Sequence, residues 1–236
     1  MSAVNSKYPA ELAKIENAIH VILGWDHPQF LPIWSKIKRG LTIDPSVVDP
    51  SGKPGICVDA KARIFVHPQF VRETPAAQLA GDFAHEMMHP TFDHFNRAIQ
   101  RGILSALGKV LDPQAAQDWN IAGDWAINDL LRASKIQLQD WVCYPPKDYP
   151  ANLPRTTEAF FDYIRAERKE NEEKGGSPKK DPSGKVGDGC GMKPADAEPG
   201  EHAEPIGAAI RGYDIPGQGG GASERAAMVS RAVGGV

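Results

Sequence analysis

The chain has 236 residues, of which 23 are Gly and 20 Pro, and 27 Lys+Arg against 30 Asp+Glu give a formal net charge of −3. That balance leaves no basic footprint for nucleic acid, and no uninterrupted apolar run reaches the length that a membrane span requires. Cys57, Cys143 and Cys190 include no CxxC pair, which argues against a disulfide framework or a thiolate zinc site and fits a reducing cytoplasm.

The Gly and Pro excess is local. Residues 175–221 hold 13 of the Gly and 6 of the Pro, whereas all five Trp lie at or before Trp141 and all eight Phe at or before Phe161. The opening MSAVNSKYPAELAK lacks the apolar core of a secretory signal. The expected organisation is a folded domain over 1–168, followed over 169–236 by a Gly/Pro/charged linker or tail. Too few apolar groups occur there to offset the entropy of ordering, so a mobile tail is expected.

Leu12, Ile15, Ile19, Ile22 and Leu23 recur at helical spacing and predict an amphipathic first helix from about Pro9 to Leu23. In KARIFVH, Ala62, Ile64 and Val66 alternate with Arg63, Phe65 and His67, the pattern of a strand with one wet face. A long helical stretch is expected from about Pro75 to Leu107, with Pro90 as its one internal interruption. A second is expected from about Pro113 to Ala133, with Asp112 and Pro113 at cap and first turn. The Pro-rich residues 142–155 read as a loop, after which Thr156 or Thr157 caps a short helix carrying Phe160, Phe161 and Ile164.

Residues 85–89 read HEMMH, the HExxH pattern. One helical turn separates His85 from His89, so both imidazoles can reach one metal ion, and Glu86 lies beside them as a general base for water on that metal. Two neutral nitrogen ligands hold a zinc ion without cancelling its charge, which is what activates the water. Ala80, Phe83, Ala84 and Met87 form an apolar stripe roughly opposite the histidines, as expected of a pair lining a cleft.

A zinc site needs a third protein ligand, and two candidates compete. Gln117, Asn120, Asp124 and Asn128 form a polar stripe along the otherwise apolar second long helix. Such a ridge is costly to bury unless satisfied, and a metal with its supporting hydrogen bonds would satisfy it. His94 is the alternative. Nine residues is about 900° on an unbroken helix, which puts His94 opposite His85 unless the chain leaves the helix at Pro90. Asp124 ranks above His94 as third ligand. Asn120, Asn128 and Asp93, with Asp82, are candidates to orient the ligands.

HEMMHPTFDH, followed after a connector by WNIAGDWAIN, resembles the "putative metallopeptidase domain" of bacteria and phages that commonly precedes a von Willebrand factor A-like domain. VDAKARIFVHPQFV and TTEAFFDYI are similar to the family's flanking segments, and GDGCGM falls where many members carry a Gly-Cys-Gly element. The resemblance runs continuously over roughly 8–165. It implies an α+β, mostly helical, zincin-like domain with a small edge β-sheet. It further implies Zn2+ held by His85 and His89, Glu86 as base, and Asp124 and His94 at further site positions. Two departures stand out: Pro90 occupies what is usually an ordinary helical position, and the sequence ends at Val236, where members commonly continue into a second domain. SERAAMVSRAV resembles the start of the helix leading into the A-like domain, so a truncated or stand-alone chain is expected.

In zincins an edge strand pairs with an extended substrate. KARIFVH is a candidate for that role and equally for a plain hairpin strand. The expected activity is zinc-dependent hydrolysis of peptide bonds in a protein or peptide substrate, with Tyr144 and Tyr149 as candidate oxyanion stabilisers. The alternative is a non-catalytic metal-binding interaction module working with a von Willebrand factor A-like domain and a partner AAA-type ATPase. A third option is hydrolysis of a non-peptide amide.

Overall fold

In the computed structural model, which describes residues 7–49 and 52–173, the fold is organised around the helix that carries HEMMH. This helix, α5 (Ala76–Thr91), is buried on every side from Leu79 to Pro90. A helix with no wet face needs partners all round. One side is covered by α1 (Pro9–Asn17), the π-helical turn Ala18–Leu23 that continues it, α3 (Phe30–Ile37) and the sheet. The other is covered by α7 (Pro113–Ala133). The expected first helix is thus one continuous rod that widens at Ala18 and ends in the short α2 (Gly24–Asp26).

Ile15, Ile19 and Leu23 face this core, and Trp34 of α3 meets Phe83 of α5 edge to face at 5.8 Å. Each such fully buried aliphatic or aromatic side chain contributes about 1.5–3 kcal/mol. Lys14 of α1 donates from Nζ to the carbonyls of Arg72 (2.9 Å) and Thr74 (2.7 Å), and Glu11 pairs with Arg72. These contacts tie α1 to the end of α4 (Pro68–Glu73), where unsatisfied carbonyls attract a cation.

Among the described residues the sheet has three strands, β1 (Thr42–Ile43), β2 (Ile56–Val58) and β3 (Ile64–Val66), in the order β1-β3-β2. β1 runs parallel to β3 and β2 antiparallel to it. The alternation expected in KARIFVH is present, with Ile64 and Val66 buried and Phe65 half-buried. The edge-strand role is not: β3 is the middle strand, its backbone paired on both sides, and it forms the hairpin with β2. The edges belong to β1 and β2, and β2 is the strand that packs on α5.

Pro90 does not end α5. Its ring removes one helical N–H and crowds the carbonyl of the preceding turn, yet Phe92 N still closes on Met88 O at 2.8 Å. The break comes at Asp93, in the left-handed region at φ 58, a conformation that Asp tolerates. α6 (His94–Gln100) then starts in a new direction. The expected helix up to Leu107 stops at Gln100 instead. Gly102 and Gly108 have positive φ, and a bridge between Leu104 and Val110 closes a turn there.

α7 matches its expected bounds, with the Asp112 carboxylate accepting from Ala115 N at 3.0 Å and Pro113 in the first turn. α8 (Thr157–Glu173) packs along α7 through Trp119–Phe161 and Trp125–Phe160 contacts at 5.4 and 5.6 Å. It is longer than the short helix expected, because Arg165 and Arg168 in its charged part bind the buried Asp118 of α7 at 3.5 and 2.7 Å. The Gly/Pro tract, GDGCGM and SERAAMVSRAV lie outside the described residues. Among the described residues no helix is long and apolar enough to cross a membrane.

Candidate metal centre

α5 and α7 pack against each other, and the contact brings His85, His89 and Asp124 together. His85 Nε2 lies 3.1 Å from His89 Nε2, and Asp124 Oδ1 lies 3.4 and 3.3 Å from them. The three groups could hold one metal ion. A tetrahedral ion bound at 2.0–2.1 Å has its ligand atoms roughly 3.3–3.4 Å apart, and the three sides of this triangle fit that spacing.

The protonation pattern points the same way. Asn128 Nδ2 donates to Cys143 O at 2.9 Å, which leaves its Oδ1 to accept from His85 Nδ1 at 2.8 Å. The His85 proton therefore belongs on Nδ1, and its Nε2 turns a lone pair towards the triangle. Asp124 Oδ1 is buried and makes no hydrogen bond. A buried arrangement of converging lone pairs is repulsive unless a cation, either a proton or a metal ion, sits among them. Electrostatics agree. Burial opposes charge on His85, but the Asp124 carboxylate outweighs it and pushes the imidazole up to about 9. Burial likewise opposes the charge on Asp124, yet the two histidines hold its pKa below the ordinary value.

His94 does not point into the triangle. The break at Asp93 does swing it back towards α5, but its Nδ1 stops against the far nitrogen of His89, 3.0 Å from Nδ1. Its Nε2 lies 3.0 Å from Thr157 Oγ1 of α8. Burial, with His89 and Arg97 nearby, lowers its pKa well below the ordinary histidine range, so the ring is neutral.

Glu86 follows His85 on α5 and is only 1 % exposed. Asp82, one turn earlier, accepts from Gln139 Nε2 at 3.0 Å, and burial pushes its carboxyl up to about 7. Asn120 is half-buried one turn before Asp124. The Asp93 carboxylate accepts from Asn96 Nδ2 at 2.8 Å, at the start of α6. The Tyr149 hydroxyl donates to Pro154 O at 2.7 Å, and the Tyr144 ring lies under the Arg132 guanidinium, 4.3 Å away. Tyr149 is thus engaged within its own loop rather than at an oxyanion.

Two glycines outside the HExxH motif shape the site. A Cβ on Gly123 would stand 2.9 Å from His94 Nδ1, and one on Gly81 would stand 2.0 Å from Gln137 O. Glycine inside a long helix costs about 1 kcal/mol relative to alanine, so each marks a close approach. At Gly81 the segment after α7 lies directly on α5. That segment also supplies Gln139 to Asp82 and the Cys143 carbonyl to Asn128, which helps explain why the expected cleft is a buried cluster.

The family model described as "Putative metallopeptidase domain" matches residues 41–212. This chain belongs to that family. The metallopeptidase-domain match takes in the sheet, α4 to α8 and every residue of the triangle, while α1 to α3 precede it. No curated protein and no solved structure matched the chain.

Proposed function

We propose that the domain is a zinc-dependent peptidase, with His85, His89 and Asp124 as protein ligands and Glu86 as general base. The observation that carries this reading is the triangle of lone-pair atoms at tetrahedral spacing, beside a carboxylate on the same helix turn. Two imidazoles and one carboxylate are a donor set typical of catalytic zinc, which keeps a further position for water or substrate. Zinc there would supply Lewis acidity, polarising the scissile carbonyl and making water acidic enough to lose a proton near neutral pH.

The residues of the chain would do the rest. Asn128 holds the His85 proton on Nδ1 and so keeps Nε2 available. Glu86 takes the proton from the attacking water and delivers it to the leaving amine. The sparse cysteines, with no CxxC pair in the sequence and with Cys57 and Cys143 both buried, support the reading of a cytoplasmic protein.

The burial of Glu86 favours a second reading, since a substrate must reach it. In that reading the metal-binding domain cleaves nothing and serves as an interaction module beside a von Willebrand factor A-like domain and an AAA-type ATPase. Elemental analysis and a peptide-library digest, read by mass spectrometry, test both. Near-stoichiometric zinc is expected in wild type and Glu86→Gln but not in His85→Ala, with cleavage by wild type alone. Zinc-free wild type, purified without chelator, sinks the metal site. Loaded protein that leaves the library intact favours the interaction module.

A further inference from the structure

His94 is buried and one hydrogen bond away from a proposed ligand, yet it takes no part in the triangle. We propose that His94 is a positioning residue: its Nδ1 accepts from His89 Nδ1, its Nε2 donates to Thr157, and His89 is thereby kept with its Nε2 lone pair on the triangle. The inference rests on the metal reading and adds to it a hydrogen-bonded chain running from α5 through α6 to α8.

Three features carry it. The distances are 3.0 Å from His89 Nδ1 to His94 Nδ1 and 3.0 Å from His94 Nε2 to Thr157 Oγ1. Only one member of a nitrogen pair can carry the proton between them. With His89 Nδ1 protonated, its Nε2 is free for a metal. With His94 Nδ1 protonated, His89 carries its own proton on Nε2, in the middle of the triangle. A His94 that donates to Thr157 selects the first arrangement, because a neutral imidazole has one N–H.

The second feature is anchorage. The His94 carbonyl accepts from Trp119 Nε1 at 3.0 Å, and the residue is 1 % exposed, so the ring sits in a fixed frame. The third is space. Gly123, adjacent to Asp124 on α7, is where a Cβ would come 2.9 Å from His94 Nδ1 and 3.0 Å from its Cε1. The helix gives up a side chain at the one point where the ring passes. A His placed only to fill the core would need neither the two nitrogen contacts nor the glycine. Thr157 is buried at the start of α8, while Thr156 provides the cap by accepting from Ala159 N at 3.4 Å. Thr157 is therefore not held there by capping.

The test measures zinc affinity by competition with a chromophoric chelator, alongside urea denaturation of each metal-free protein. His94→Leu is expected to weaken zinc binding about 10–100-fold, the usual range for losing a partner of a ligand histidine. His94→Asn, whose Oδ1 can stand where Nδ1 stood, should recover most of that loss. Thr157→Val should weaken binding about tenfold, and Thr157→Ser should stay near wild type. Gly123→Ala should lose affinity although alanine favours the helix. In zinc-loaded wild type, imidazole 15N shifts should place the His94 proton on Nε2.

Wild-type affinity in His94→Leu overturns the inference while leaving the metal site standing. So does a His94 proton found on Nδ1, or an affinity in His94→Asn as low as in His94→Leu. Wild type that binds no zinc overturns the metal reading itself, which separates the two failures.

Discussion

α7 buries two aspartates six residues apart, and they are treated in opposite ways. Asp118 is 0 % exposed and receives Arg165, Arg168 and Gln114, so its charge is met by donors from the protein. Asp124 is 2 % exposed, yet its Oδ1 receives no hydrogen bond and faces two histidine nitrogens. A carboxylate supplied with cations by its own chain joins two helices. One left among lone pairs is suited to a cation from outside. The same residue type on the same helix thus separates architecture from chemistry by what surrounds it.

The largest effect that sharpens this contrast is expected from zinc itself. At a free zinc concentration of a thousand times Kd, wild type should gain about 4 kcal/mol in urea denaturation. Asp124→Ala should gain almost nothing, and an equal gain in that variant would erase the contrast. Asp118→Ala should behave in the reverse manner. It strands two arginines that can partly turn to solvent, so a loss of about 3 kcal/mol is expected, at the lower end for a broken buried pair. Zinc stoichiometry should survive, and a metal-free Asp118→Ala that is still folded would contradict the assignment.

The smallest effect is a pH dependence of the metal-free protein. His85 is held up at about 9 in the fold against an ordinary value near 6.5. A raised pKa contributes stability that is fully present below the ordinary value and lost as pH rises through about 9. Metal-free wild type should therefore weaken between about pH 6.5 and 9, whereas Asp124→Asn, lacking the carboxylate that raises the pKa, should show a flatter curve. A flat wild-type curve would mean that Asp124 does not hold a proton on His85.

Much of this architecture was legible from periodicity. The apolar residues of α1, the cap and first turn of α7 and the inward residues of β3 all follow local rules that a few neighbouring residues satisfy. The HEMMH turn and the Asn120–Asp124–Asn128 stripe were legible for the same reason, since helical spacing puts each set on one face. Other features depend on contacts between distant segments. That β3 is a middle strand depends on β1, whose two residues carry too little pattern to announce a pairing. The helix break at Asp93 is an αL residue that any Asp could adopt or avoid. Nothing near Arg165 and Arg168 in sequence reveals that Asp118 waits for them, so the charged end of α8 reads as solvated. Gly81 and Gly123 do carry a signal, as glycines inside long helices.

His94 shows the division most clearly. By itself the sequence determined which residue types are present and how helical spacing groups them: two histidines and a glutamate on one turn, an aspartate on another helix, and a third histidine nine residues on. The tertiary structure decided which histidine nitrogens converge and which one supports from behind. The reason is geometric. A metal centre is set by atoms within a few ångströms of one point, and only the packing of α5, α6 and α7 determines which atoms arrive there.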